Sequence, residues 1–228
     1  MAQLTYLQIV NKVLTKLRED TVGSVAASNY SSLIGEFVND AKKEVENAWD
    51  WSVLRSGVTF SSSIGVRTYS LTSVTNIDSR LIYDENDRPM AFDITAGTQI
   101  QLYEYEEDRL EREFLLQYPA QTIDQPTYFS LTNLGEGFQI NFLETPTQVR
   151  NYKFYFIGPQ EELVNDTDIL SIPWRPVRDA AVMYALDERG EEIGEPGGRA
   201  ERRYLSSLAD AIAFDSKKDP HKLMFRVV

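Results

Sequence analysis

The chain contains no cysteine. That excludes a disulfide framework, a thiol nucleophile and a thiolate metal site, and it fits a reducing compartment without demanding one. There is one histidine, His221. A Ser-His-Asp triad would have to recruit it from a terminal stretch beside Pro220, a poor place to hold a base within hydrogen-bond reach. Paired-histidine metal motifs and a phosphate-cradling GxxxxGK followed by Ser or Thr are also missing. Gly197-Gly198 lacks the following lysine and reads as an interhelical turn. No apolar run approaches the ~20 residues that span a bilayer. The opening Met-Ala-Gln-Leu-Thr has neither the basic region nor the apolar run of a signal peptide. A soluble chain with no membrane partner is expected. Positive charge is scarce as well: 23 Lys and Arg stand against 35 Asp and Glu, for a net charge of −12. Such acidity disfavours general nucleic-acid binding, because phosphate neutralisation supplies most of that affinity. It suits either plain solubility or a non-adhesive wall past which DNA slides.

What is present suffices for a core. At 228 residues, with 42% hydrophobic and 25% charged residues, the chain has room for one large domain or two small ones. The stretch 29–51 is the strongest helical signal. Tyr30, Leu33, Ile34, Phe37, Val38, Ala41, Val45, Ala48 and Trp49 fall at steps of three and four, and Glu36, Asn39, Asp40, Lys42, Lys43, Glu46 and Asn47 take the other face. Ser28 or Asn29 is placed to cap it. It ends in Trp49-Asp50-Trp51, which reads either as core packing where helix meets sheet or as an aromatic contact for a partner. Before it, residues 4–19 form a helix with a stripe of Leu4, Leu7, Val10, Leu14 and Leu17, and Thr5 with Gln8 has capping-box spacing. Two such helices on a short connection should lie antiparallel and still need a partner face.

From residue 52 to 157 the texture changes to short β-branched and aromatic runs between turn residues. Strands are expected at 58–60, 66–71, 80–83, 90–94, 99–105, 127–131, 138–143 and 151–157, with turns at 85–88 and 135–137. In the last strand Tyr152, Phe154 and Phe156 alternate with Asn151, Lys153 and Tyr155, which marks one buried face. A helix is expected at 106–118, from Leu110, Phe114, Leu115 and Tyr118, and Pro119 stops it. Helices return at 175–189, with Val177, Ala180, Ala181, Tyr184 and Ala185 on one face, and at 199–214, with a stripe of Tyr204, Leu205, Leu208, Ala209 and Ile212. The order implies an α+β fold. N- and C-terminal helix pairs (1–51 and 173–214) form a four-helix bundle, 52–172 makes an inserted β-rich lobe like a barrel or sandwich, and 215–228 is an extended C-terminal arm.

That last stretch is unlike the rest. From Ser216 onward it carries a net +3 in a −12 protein, with Leu223, Met224, Phe225, Val227 and Val228 beside the charges. It reads either as a tail folded on its own core or as an arm that docks on an acidic, grooved neighbour. Carboxylates offer two chemical readings. Asp84, Asn86 and Asp87 could touch calcium, but the loop lacks the glycine and distal bidentate glutamate of an EF-hand and reads as a solvated turn. Glu104, Glu106, Glu107, Asp108, Glu111 and Glu113 could supply a glycosidase pair. With Trp51, Trp174 and many tyrosines this would suit a carbohydrate-binding or depolymerising protein. Asp108 with Arg112 instead reads as an i,i+4 ion pair, and the others as a solvated face. No cofactor is called for.

The opening LTYLQIVNKVLTKLRED, the helix SSLIGEFVNDAKKEVENAWDW and the closing pair RDAAVMYALDERG and AERRYLSSLADAIAFD resemble the head-to-tail adaptor proteins of short-tailed bacteriophages, also called tail tubular protein A or head completion proteins. The resemblance covers the two ends of the chain. It implies a non-enzymatic virion component, made in the host cytoplasm, that forms a ring (usually a dodecamer) beneath the portal and passes DNA through its lumen without reading it. It further implies that the C-terminal segment reaches the portal protein and that the β-rich lobe faces the tail nozzle protein. On that analogy Lys217, Lys218, His221, Lys222, Leu223, Met224, Phe225 and Arg226 form the portal-binding arm.

Overall fold

The computed structural model describes residues 3–72, 78–95, 99–116, 122–123, 125–190 and 198–216. The fold is mixed α+β and divides into two compact units. One is built from both chain ends, Met1–Leu54 with Pro159–Val228, and the other is Arg55–Gly158. Among the described residues no helix is long and apolar enough to cross a membrane.

In the first unit, α1 (Tyr6–Lys16) begins at the capping box that its sequence announces: the Gln8 N–H donates to Thr5 Oγ1 at 3.3 Å and the Thr5 N–H to Gln8 Oε1 at 3.1 Å. Ile9, Val10, Val13 and Leu14 bury its apolar face. A short 3-10 turn, Val25–Ala27, leads into α2 (Asn29–Ala48), which Ser28 caps with Ser31 in the reciprocal position. Gly35 is where α2 meets α1. A Cβ there would fall on the Tyr6 hydroxyl and 2.8 Å from Val25 Cγ1, so any larger residue would push those two side chains aside. After the β unit, α4 (Trp174–Glu188) packs on α1 and α2, and α5 (Arg199–Ser216) packs on α4. Glu44 of α2 ties three helices together by accepting the hydroxyls of Tyr184 and Tyr204, the latter at 2.9 Å. Burial, and then this carboxylate, hold both tyrosines well above their ordinary range.

Residues 159–172 group with these helices, although their loop-like composition reads as part of the β-rich lobe. They serve as a polar strap. Gln160 accepts from Lys42 Nζ at 2.5 Å through its carbonyl, Leu163 exchanges two hydrogen bonds with the Asn39 side chain, and the Asp166 carboxylate accepts the Val25 N–H at 2.9 Å. The Asp168 carbonyl accepts the Tyr6 N–H at 2.8 Å, which satisfies a free donor at the start of α1.

The second unit contains β1 (Arg55–Ser61), β2 (Thr68–Ser70), β3 (Arg80–Leu81), β4 (Ala91–Asp93), β5 (Ile100–Gln101), β6 (Tyr103–Glu104), α3 (Glu107–Leu116), β7 (Thr122–Ile123), β8 (Tyr128–Asn133), β9 (Phe138–Phe142), β10 (Thr145–Pro146) and β11 (Asn151–Ile157). One sheet runs β1-β11-β4-β5 with β3 also on β11, a second runs β2-β9-β8-β6, and β10 pairs β7 in parallel. The alternation in β11 works as its sequence predicts: Tyr152, Phe154 and Phe156 point into a core shared with Phe129, Ile140 and Phe142 of the other sheet, in a sandwich-like arrangement. The expected strand 99–105 is two short strands. Fully buried Leu102 sits between them, so β5 joins one sheet and β6 the other.

Candidate functional site

Lys217, Lys218, His221, Lys222, Leu223, Met224, Phe225 and Arg226 lie outside the described residues, as do Tyr118, Pro119 and the glycine-rich break from 191 to 197. The root of the arm is described, and it is firmly held. Buried Asp215, at the end of α5, accepts the Ser52 N–H at 2.9 Å, the Ser52 hydroxyl at 2.6 Å and the Trp49 indole N–H at 3.3 Å. This explains half of the Trp49-Asp50-Trp51 signature. The other half is Trp51, 0% exposed, whose indole N–H donates to the Val45 carbonyl at 2.7 Å.

Near the same end of α5 lies a groove of about 510 Å³. Pro173, Trp174, Pro176, Ala211 and Phe214 give it apolar lining, and Lys16, Arg175, Arg178 and Arg203 supply cations. The Trp174 ring is surrounded: Lys12 Nζ lies 5.0 Å, Arg178 Cζ 5.1 Å and Arg175 Cζ 5.8 Å from its centroid. Asp179, 4% exposed, accepts Nε (2.8 Å) and a terminal nitrogen (2.5 Å) of Arg178, so that guanidinium is neutralised and fixed. Asp210 is the other carboxylate of the lining. In a chain of net charge −12, four cations against two carboxylates line this concavity, with Lys12 over its half-buried indole as well, so it is locally positive. Lys12 and Lys16, Trp174 to Arg178, and Arg203 stand far apart along the chain, so the sequence reading missed the groove; Trp174 and Arg178, one helical turn apart, were its one local signal.

Helix α5 corrects an expectation. Its buried line is Ala200, Tyr204, Ala211 and Asp215, whereas Leu205 is 52% exposed, Ala209 is open and Leu208 and Ile212 are half-buried. The expected stripe therefore turns only partly inward. On α3, Leu110 is fully buried, yet Leu115 and Leu116 are 73% and 77% exposed, outside the buried face to which Leu115's spacing assigned it.

Five of the carboxylates considered for chemistry, Asp84, Glu104, Glu107, Glu111 and Glu113, have local partners. Asp84 Oδ1 accepts the N–H groups of Asn86 (2.8 Å) and Arg88 (2.9 Å), which holds its carboxyl below the usual range and shapes the turn. Glu104 accepts the Tyr83 hydroxyl at 2.5 Å, Glu107 the Thr132 hydroxyl at 2.7 Å, and Glu111 pairs with Arg67. The i,i+4 ion pair of α3 is Arg109–Glu113 at 3.1 Å, one position beyond the expected Asp108 and Arg112. Among the described residues no three His, Cys, Asp or Glu side chains are grouped to hold a metal ion.

No curated protein matches the chain. A family model described as SU10 adaptor protein does match, over residues 4–222, which takes in both structural units and most of the terminal stretch. An α+β chain with helices at both ends and a β-rich insert is in keeping with an adaptor role. The chain belongs to the SU10 adaptor protein family.

Proposed function

We propose that the chain is a non-enzymatic structural adaptor of a phage neck, which assembles into a ring, joins the portal protein to the tail nozzle protein and lets DNA pass through its lumen. The family match over residues 4–222 carries this reading. The twelvefold ring and the two partners come from the resemblance to head-to-tail adaptors of short-tailed phages. The arm from Lys217 to Arg226 is the portal contact. Its basic and apolar residues suit an acidic groove, and it leaves from Asp215, a residue pinned to the body of the helical unit. The net charge of −12 suits a lumen that DNA must traverse without sticking. A glycan-binding tail component is the alternative; of the tryptophans it would use as sugar platforms, Trp51 is fully buried.

The test is the native mass of the protein, alone and mixed with the portal encoded by the same genome, for the full-length chain and for residues 1–216. The shorter chain keeps the Asp215 anchor. A portal-bound ring formed only by the full-length chain is the expected result. A ring with both versions would keep the role and move the contact to the helical unit. Failure of both to bind the portal would overturn the reading and turn attention to glycans.

A further inference from the structure

Strand β1 is the edge of its sheet: it pairs with β11 and, among the described residues, with no strand on its other side. The ladder fixes which of its backbone groups are left over. On β11, the Tyr155 N–H donates to the Met90 carbonyl, and the Tyr155 and Asn151 carbonyls accept from Ile82 and Ile94, so the odd-numbered residues of β11 bond away from β1. Tyr152, Phe154 and Phe156 therefore bond Phe60, Val58 and Ser56, while Gly57, Thr59 and Ser61 turn their N–H and C=O groups outward. These three residues are exposed. Open edges are usually blunted by proline, lysine or a bulge. Neither residue occurs along Arg55–Ser61, and the register with β11 is unbroken.

A second observation names the chemistry of what lies beside this edge. Lys153 of β11 has no carboxylate partner among the described residues, in a chain of net charge −12. Its side chain crosses the gap that Gly57 leaves: its Cε is 2.9 Å from where a Cβ at position 57 would stand, and its Nζ is 4.7 Å from the centroid of the Tyr155 ring. We propose that β1 takes up an extended segment of a partner protein as an added strand, with a carboxylate of that segment beside Lys153 and its aliphatic side chains against Val58 and the half-buried Phe60. Backbone bonds to Gly57, Thr59 and Ser61 supply affinity, and the alternating side chains select the partner. Two nearer occupants fit worse. The chain's own terminal stretch, 216–228, bears a net +3 and would set like charges against Lys153. The β1 strand of a second copy has no carboxylate to offer. The contact stands apart from the ring and from the portal arm.

The probes are a blocked peptide, Thr-Val-Glu-Val-Thr-Val-Thr, and the same peptide with Lys in place of Glu, each added to the full-length chain while amide exchange is followed residue by residue. In the free protein Ser56, Val58 and Phe60 should be protected, and Gly57, Thr59 and Ser61 should exchange freely. The glutamate peptide should protect those three amides and bind about fivefold tighter than the lysine peptide. Lys153→Glu should reverse that preference. Thr59→Pro removes an outward N–H and leaves the β11 ladder whole, so it should stay folded and bind neither peptide. Free exchange of Gly57, Thr59 and Ser61 at high peptide concentration, equal binding of the two peptides, or unchanged binding by Thr59→Pro would overturn the contact. Protection of the three amides without peptide would overturn the choice of occupant: its loss in residues 1–216 would mean that the chain's own end covers β1, and its loss on dilution that a second copy does.

Discussion

Asp215 and Glu144 are buried carboxylates with opposite fates. Asp215 accepts three hydrogen bonds from the exit of α2, so its desolvation is offset by donors already in place. Asp215→Ala should lower stability by about 3 kcal/mol, read as a shift of the urea midpoint, and Asp215→Asn by less because it keeps acceptor capacity. Glu144 has one oxygen, Oε2, buried with no hydrogen-bond partner among the described residues, and the neighbouring Tyr152 hydroxyl is in the same condition. Burial pushes the Glu144 carboxyl up, against the downward pull of the Glu144 and Thr127 N–H groups. A carboxyl raised on folding binds its proton more tightly in the native state. Its penalty is therefore absent below the unfolded carboxylate range and grows as pH rises through the raised native value. Glu144→Gln should thus raise the melting temperature at neutral pH, with the gain vanishing in acid; equal gains at both pH values would refute the account. Neither residue's role was legible in the sequence. The partners of Asp215 are more than 160 positions away, and the solitude of Glu144 is a property of packing.

Elements were more legible than residues, and the misses have physical causes. Periodicity located α1, α2, α4 and α5 because each buries one face, and β11 because its two faces differ. The seam of α5 was misread because Leu205, Leu208, Ala209 and Ile212 repeat at helical spacing as well as the true seam does, whereas the line that α5 buries runs through small and polar residues, Ala200, Ala211 and Asp215, with Tyr204. Stability measurements should separate the two faces of α5. Tyr204→Ala removes a buried ring and its bond to Glu44 and should cost about 3–5 kcal/mol in urea unfolding, whereas Leu205→Ser should stay within about 0.5 kcal/mol. Comparable losses would mean that the open face is occupied within a single copy. The split of 99–105 was illegible for another reason: alternation reports a buried face but not which sheet a strand joins, and Leu102 is buried whichever neighbours it has.

For the whole molecule, the sequence conveyed two helical ends around a β-rich insert, and the structure has that composition; what it could not convey was where the strap from 159 to 172 belongs, since its ties to Lys42, Asn39 and Val25 are side-chain to backbone bonds with no periodicity. Residues 55–158 have their own core, and their ends meet, because Arg55 pairs with Ile157 across the β1–β11 ladder. Expressed alone, this segment should melt cooperatively by calorimetry, and residues 1–54 alone should not. The same pairing has a consequence for how the protein is made. On the ribosome, α1 and α2 emerge first but must wait for α4, which arrives after the whole insert. Holding the ends of a loose loop of that length together would cost about 4 kcal/mol of chain entropy. If the insert folds while it waits, β1 and β11 act as a closed zip, that cost is met before α4 leaves the tunnel, and the late helix is delivered beside its partners. A proline placed mid-ladder at Val58 would then slow the folding of the helical unit as well as of its own, read as a slower refolding phase.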